Sequence, residues 1–214
     1  MNTVYDCYDR HTRMIFPELQ ASPRHPGAGT VTPGIRDLFL KRVGVEVESF
    51  RGGPREARAA YAEAIRKLGP MLGADFSDLN ESQMCDDFHY TIFPNVTLNT
   101  HSMFVWVFTH RPHPEDPNKM YFDFWNLMNA PNQRVPRPEK KLFRTADGDT
   151  LAGACEGGDL MDEDLYNLPR IQRGMNSAAF EALHLGTQEV RILHHHDTLM
   201  RYLQAPQAGA RSEP

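Results

Sequence analysis

The spacing of apolar positions shifts along the chain from strand-like to helical, back to strand-like, and to helical again. A period near two marks a half-buried strand, and a period near 3.6 marks an amphipathic helix. Residues 3–16 read as extended, polar and aromatic, and residues 17–33 as a Pro/Gly-rich loop. After Pro33-Gly34, the residues Ile35, Leu38, Phe39 and Val43 fall on one helical face. Residues 43–50 alternate, Val45 and Val47 against Glu46 and Glu48, and suit an edge strand or a turn equally. Pro54 suits a first helical position. Behind it Ala57, Tyr61, Ala64, Ile65 and Leu68 recur at helical spacing. That helix is expected to end near Gly69-Pro70, because proline disfavours helix in the residue before it. Ser77 is the expected N-cap of a short helix reaching about Met84.

Three strands are predicted next, over residues 88–97, 103–110 and 119–127. The proline- and acid-rich residues 111–118 make the last two a hairpin. Phe104, Trp106 and Phe108 share one face of the middle strand while Val105 and Val107 fill the other. A strand apolar on both faces is covered on both: helices on one, with room for an apolar cavity on the other. Residues 130–158 are polar and Pro-rich, with a probable turn at Asp147-Gly148-Asp149. Asp162-Glu163-Asp164 then opens a helical segment, and Gln172-Arg173-Gly174-Met175 reads as a turn. A final helix, capped by Thr187, offers Val190, Leu193, Leu199 and Leu203 as core contacts.

Composition narrows the class. A chain of 214 residues, 40% hydrophobic and 24% charged, buries a full core as one domain or one and a half. Net charge is −5 and no Lys/Arg run stands out, which disfavours nucleic acid. No apolar run reaches the roughly 20 residues that span a bilayer, and the first residues carry no apolar signal core. Cys7, Cys85 and Cys155 are odd in number and widely spaced, with no C-x-x-C pair. No membrane partner and a reducing cytoplasm are therefore expected.

Candidate chemistry is sparse. Asp164 is either a hard oxygen ligand for a divalent metal or, with Asp162 and Glu163, a helix-start carboxylate that complements the dipole. His194, His195 and His196 point about 100° apart in a helix, so all three cannot ligate one ion. His194 and Asp197 share a face, and His110-x-x-His113 is a weak metal signal at a strand end. Asp87, His89 and Thr91 alternate with Phe88, Tyr90 and Ile92. That is a solvent face, or a set of polar groups lining a mostly apolar pocket. No serine elbow, phosphate-binding glycine loop or H-E-x-x-H is present, and no histidine partner for cysteine catalysis is visible.

Three motifs occur in order: HTRMIF at residues 11–16, DDFHYTIFPN at residues 86–95, and an ED-x-x-N-L-P-x-I-Q-R-G-M segment followed by L-G-x-Q-E-x-R-I. Together they resemble the C-terminal catalytic domain of the alpha subunit of Rieske-type non-haem iron ring-hydroxylating oxygenases. The likeness covers residues 3–203 or so. It implies an α+β, helix-grip fold: an antiparallel sheet wrapped around a C-terminal helix, with an apolar pocket between. It implies one mononuclear Fe(II) held by two histidines and an aspartate, the facial triad. The aspartate falls on Asp164, with Asn167 matching the family's asparagine, and Asp164 is the expected catalytic residue. The pocket is expected around Phe93-Pro94-Asn95, with Asp87, His89, Asn99, Ser102 and Leu160 as substrate-binding candidates. O2, a small aromatic or apolar substrate, ferredoxin and reductase electron donors fed by reduced nicotinamide, and a homotrimer complete what the resemblance implies.

The departures are equally specific. The family's two histidines lie ahead of the HTRMIF region, in an Asp-x-x-His pattern followed by a second histidine. No such pattern precedes His11, and none of the three cysteines fits a two-iron, two-sulfur Rieske domain. The expectation is a single partial catalytic domain, residues 1–205, with a disordered tail at 206–214 and with the histidine ligands encoded upstream of Met1. Such a chain alone is expected to be inactive. The rival reading is a non-catalytic helix-grip module that binds an apolar small molecule. A small beta-type structural subunit is a third, and does not account for the Asp164 segment.

Overall fold

The computed structural model describes residues 3–19, 33–129, 131–132, 136, 138–144, 147–155 and 157–205. The expected tail at 206–214 and most of the predicted loop at 17–33 lie outside them. The chain divides into two compact units: residues 1–134 with 185–214, and residues 135–184.

The first unit is built on one six-stranded antiparallel sheet with strands in sequence order: β1 (Val4–Cys7), β2 (Thr12–Phe16), β3 (Asp87–Ile92), β4 (Val96–Thr100), β5 (Phe104–Pro112) and β6 (Met120–Met128). Between β2 and β3 come the helices α1 (Pro33–Arg42), α2 (Pro54–Leu72) and α3 (Glu81–Cys85). The last helix, α5 (Val190–Gln204), follows a 3-10 turn at Thr187–Glu189 and lies against β1 and β2. An antiparallel sheet with a C-terminal helix docked on it is the expected α+β architecture and is compatible with a helix grip.

Three local expectations are corrected, and one left open is decided. The predicted strand over residues 88–97 is two strands joined by a turn at Phe93-Pro94-Asn95, because Pro94 has no N–H for the ladder. Helix α2 starts at Pro54 as predicted but runs past Pro70 to Leu72. Gly73 ends it in the left-handed region (φ 77°), its N–H reaching the Gly69 and Pro70 carbonyls. The cap of α3 is Asn80, not Ser77: its side chain accepts from Gln83 N–H, and the Gln83 side chain accepts from Asn80 N–H. Residues 43–50, which suited an edge strand or a turn equally, form turns and bends.

Helices α1–α3 pack a core of Leu40, Val43, Val47, Ala57, Tyr61, Ala62, Ile65, Phe76, Met84 and Cys85. Each fully buried large side chain there contributes about 1.5–3 kcal/mol. An ion pair ties this layer to the sheet. Arg58, 2% exposed, donates to Asp86 Oδ1 at 2.5 Å, to Glu81 Oε1 at 2.9 Å and to the Glu18 carbonyl at 2.8 Å. Asp86 is fully buried and also accepts from Ser82 Oγ at 2.5 Å. Asp86 immediately precedes β3, so the pair sets where that strand begins.

The last helix reverses its expected facing. Val190, Leu193, Leu199 and Leu203 are exposed, while Thr198 is fully buried and Arg191, His194 and His195 are half-buried. Positions 191, 194, 195 and 198 form one helical stripe, so α5 offers its polar side inward. The predicted leucine core contacts are therefore wrong: the groove under α5 takes polar partners.

In the second unit, α4 (Gly158–Met175) begins four residues before Asp162. Asp162 bends back to accept from the Leu151 and Ala152 N–H groups at 2.8–2.9 Å. The carboxylate cluster thus lies in the second turn and does not open the helix. Residues 172–175 continue α4 where a turn was expected.

Candidate functional site

The strand register places one row of side chains abreast across four strands: His89 opposite Asn99, Asn99 opposite Trp106, and Trp106 opposite Asn126. Cross-strand partners share a face, as do alternate residues along a strand. Asp87 and Thr91 therefore flank His89 on that face, with Phe104, Phe108 and His110 beside Trp106, and Phe122 and Phe124 on β6. Aromatic contacts tie them together: Phe104–Trp106 at 5.5 Å, Trp106–Phe124 at 5.8 Å and Phe108–Phe124 at 5.3 Å between centroids. The result is an aromatic wall crossed by a polar row.

Arg191 of α5 reaches onto the same face. It donates from Nε to Thr12 Oγ1 at 2.9 Å and from Nη2 to Thr91 Oγ1 at 2.8 Å, and its Nη1 lies 2.6 Å from His89 Nδ1. A guanidinium only donates, so His89 is a neutral imidazole carrying its proton on Nε2. Burial, reinforced by the Arg191 charge, pushes the His89 pKa down to about 4. Burial also lowers that of Arg191, which among the described residues has no carboxylate in hydrogen-bond contact.

At one end of the row, burial raises Asp87 to about 6 against the pull of Arg191. His101 Nε2 stands 3.7 Å from Asp87 Oδ1, and burial with the Arg42 charge holds His101 down at about 4. Both partners are thereby driven towards their neutral forms. At the other end a cavity of about 250 Å³ is lined by Thr91, Pro94, Asn95, Thr97, His110 and His195. Burial lowers both of those histidines, helped at His110 by the charge of His195 and at His195 by those of His196 and His194. This cavity adjoins Pro94 and Asn95 of the β3–β4 turn.

The structure brings Asp87, His89 and Asn99 onto one face. Ser102 sits apart in the β4–β5 turn, with Oγ 3.4 Å from the Met84 carbonyl. Leu160 and Asp164 lie on α4 in the second unit, both exposed. Asn167 donates to the Glu163 carbonyl of the same helix at 3.3 Å. His113 is occupied structurally, its Nδ1 accepting from the Glu115 and Asp116 N–H groups of the hairpin turn. Among the described residues no three His, Cys, Asp or Glu side chains come together to hold a metal. The facial triad is thus not assembled by them, and one exposed carboxylate does not fit a ferrous centre by itself.

Sequence reasoning missed Arg191, Thr12, Trp106, Asn126 and His101. Arg191 lies inside the L-G-x-Q-E-x-R-I motif, but its spacing gives no sign that it faces the sheet. Asn126 carried a visible signal: it interrupts the inward aromatic series Phe122, Phe124 on β6.

No curated protein matches this chain, and no solved structure matches it. No described helix is long and apolar enough to cross a membrane. One family matches, over residues 11–205, a span that includes the whole polar row, the cavity, Arg191 and Asp164. This chain belongs to the ring hydroxylating alpha subunit (catalytic domain) family.

Proposed function

We propose that this chain is the substrate-holding, catalytic-domain part of a ring-hydroxylating oxygenase that acts on an aromatic or related apolar substrate. The observation that carries the reading is the aromatic-walled groove between the sheet and α5, lying inside the span matched by an oxygenase-type family. The groove residues bind and orient. Phe104, Trp106, Phe108 and Phe124 offer ring faces and edges, while Arg191 fixes the His89 tautomer and so the side of the imidazole that faces a ligand. Asp164 is the one carboxylate the chain contributes to a mononuclear Fe(II) centre. Iron held there would supply O2 activation, and its electrons would come by way of a Rieske cluster from ferredoxin and reductase. The described residues do not complete the centre, so no step is assigned to it. A trimeric assembly and a cytoplasmic location belong to the same proposal.

That the described residues bring no metal-ligand cluster together favours a second reading, a non-catalytic helix-grip module that binds its ligand in the same groove without iron. Anaerobic Fe(II) titration of the 214-residue chain and its Asp164→Ala variant separates the two. The oxygenase reading expects weak binding, without turnover, that the substitution abolishes. Indifference to the substitution removes Asp164 from the metal and leaves the binding module. Tight stoichiometric binding shows two further ligands that the described residues do not reveal.

A further inference from the structure

The polar row carries an uneven set of unused hydrogen-bonding atoms. Asn99 Oδ1, Trp106 Nε1 and Asn126 Oδ1 are each buried with no hydrogen-bond partner among the described residues, and so is Asp87 Oδ1 nearby. Trp106 is 8% exposed and Asp87 9%. Buried polar groups are almost always paired, and an unpaired one costs free energy that nothing in the sheet returns. In the register, Trp106 lies between Asn99 and Asn126 on one face of the sheet. One donor flanked by two acceptors calls for a group that both donates and accepts.

Resting on the groove as the ligand site, we infer that the substrate is an aromatic ring bearing a hydroxyl group, a phenol. Its O–H donates to an asparagine oxygen, and its oxygen accepts from Trp106 Nε1. The ring lies against the phenylalanines. The cavity at Thr91 and Thr97 begins two strand residues from Asn99, roughly 6–7 Å, about the length of one substituted ring. A bare hydrocarbon leaves all three atoms unpaired. An aromatic amine satisfies the two oxygens and strands the indole N–H, whereas the phenol pairs that N–H and one oxygen and leaves the second oxygen open. A carboxylate brings two acceptors against Asn99 Oδ1, Asn126 Oδ1 and Asp87 Oδ1, while the guanidinium of Arg191 is already held by Thr12, His89 and Thr91.

A para-methyl series tests this at constant shape: p-cresol, p-toluidine, p-xylene and p-toluate, titrated into the full chain and followed by indole N–H resonances. The chain has two tryptophans. Trp125 pairs with Val107 on the opposite face and is 46% exposed, so it is the internal reference. The expected result is that p-cresol binds about tenfold or more tighter than p-xylene, with a shift at Trp106 and none at Trp125. Trp106→Phe brings p-cresol down to the level of p-toluidine. Asn99→Leu with Asn126→Leu brings it to the level of p-xylene, while p-xylene still binds. Equal affinities across the series with Trp106 shifting overturn the hydroxyl and leave the groove standing. Tightest binding by p-toluate overturns the phenol in favour of anion recognition by Arg191. No shift at Trp106 with any member overturns the groove and the inference together.

Discussion

The Arg58–Asp86 pair sets the start of the strand that carries Asp87 and His89, and its removal has a calculable cost. Arg58→Met keeps much of the aliphatic bulk and deletes the guanidinium. Asp86, fully buried, then keeps the Ser82 hydroxyl and loses the charged donor at 2.5 Å; the Glu18 carbonyl loses its donor as well. Removing one partner of a buried pair costs about 3–5 kcal/mol, most of it the uncompensated charge left behind. With a urea slope of about 2 kcal/mol per M, the unfolding midpoint falls by about 1.5–2.5 M. Trp106 and Trp125 both lie in the sheet-bearing unit, so tryptophan fluorescence reports on the unit that the pair supports. Adding Asp86→Asn removes the stranded charge and recovers more than half of the loss. A midpoint shift under about 0.5 M, or a double variant no better than the single one, refutes the argument that the buried charge dominates.

Two further outcomes follow from burial. Glu18, raised to about 7 by burial and by Asp87 and Asp86, and Asp87, raised to about 6, bind protons more tightly folded than unfolded. The stability they contribute is present at low pH and is lost as pH rises, across about 4.5–7 and about 3.8–6. His89 and His101, lowered to about 4 from 6.5, act oppositely: their contribution is present above 6.5 and is lost as pH falls through about 4. The two pairs offset one another, so Asp87→Asn makes stability rise more steeply between pH 4 and 6 than in the parent; parallel denaturation profiles contradict this. Among the thiols, Cys7 is exposed, while burial pushes Cys85 up to about 12. A thiol-specific reagent therefore modifies Cys7 quickly and Cys85 after denaturation, and rapid native labelling of Cys85 contradicts its burial.

What the sequence disclosed, and what it withheld, follows from how far each signal reaches along the chain. The hairpin of β5 and β6 was legible because apolar alternation, a proline-rich turn and strand length are local. The Asp87–His89 face was legible for the same reason, since alternation alone separates the two sides of β3. The partners across that face were not. Asn99, Trp106 and Asn126 come abreast through register between strands, which one strand's own pattern does not encode. Pro70 misled because a proline signal near a helix end locates the boundary to within a turn, and here Gly73 supplied the actual cap. Asp164 was found by motif, and the described residues leave its role to the titration of iron.

The reversed facing of α5 is where sequence pattern and site meet. By hydrophobic burial alone this helix turns Val190, Leu193, Leu199 and Leu203 towards the sheet, yet all four are exposed. The sheet face it covers explains why. Thr12, His89 and Thr91 present a hydroxyl, an imidazole nitrogen and another hydroxyl, and only a polar stripe satisfies them. Arg10 and Arg201 fasten the far end, through the Tyr202 hydroxyl at 2.8 Å and the Asp9 carbonyl at 2.9 Å. A groove meant only to be filled by its own helix is more stable lined with apolar groups, because burying polar atoms yields little net gain even when they pair. A groove that keeps a half-buried guanidinium, the neutral His89 imidazole and unpaired amide oxygens beside an aromatic wall gives up stability, as a recognition surface does. Under the proposed function, that trade assigns ligand recognition to the α5 groove of the sheet-bearing unit.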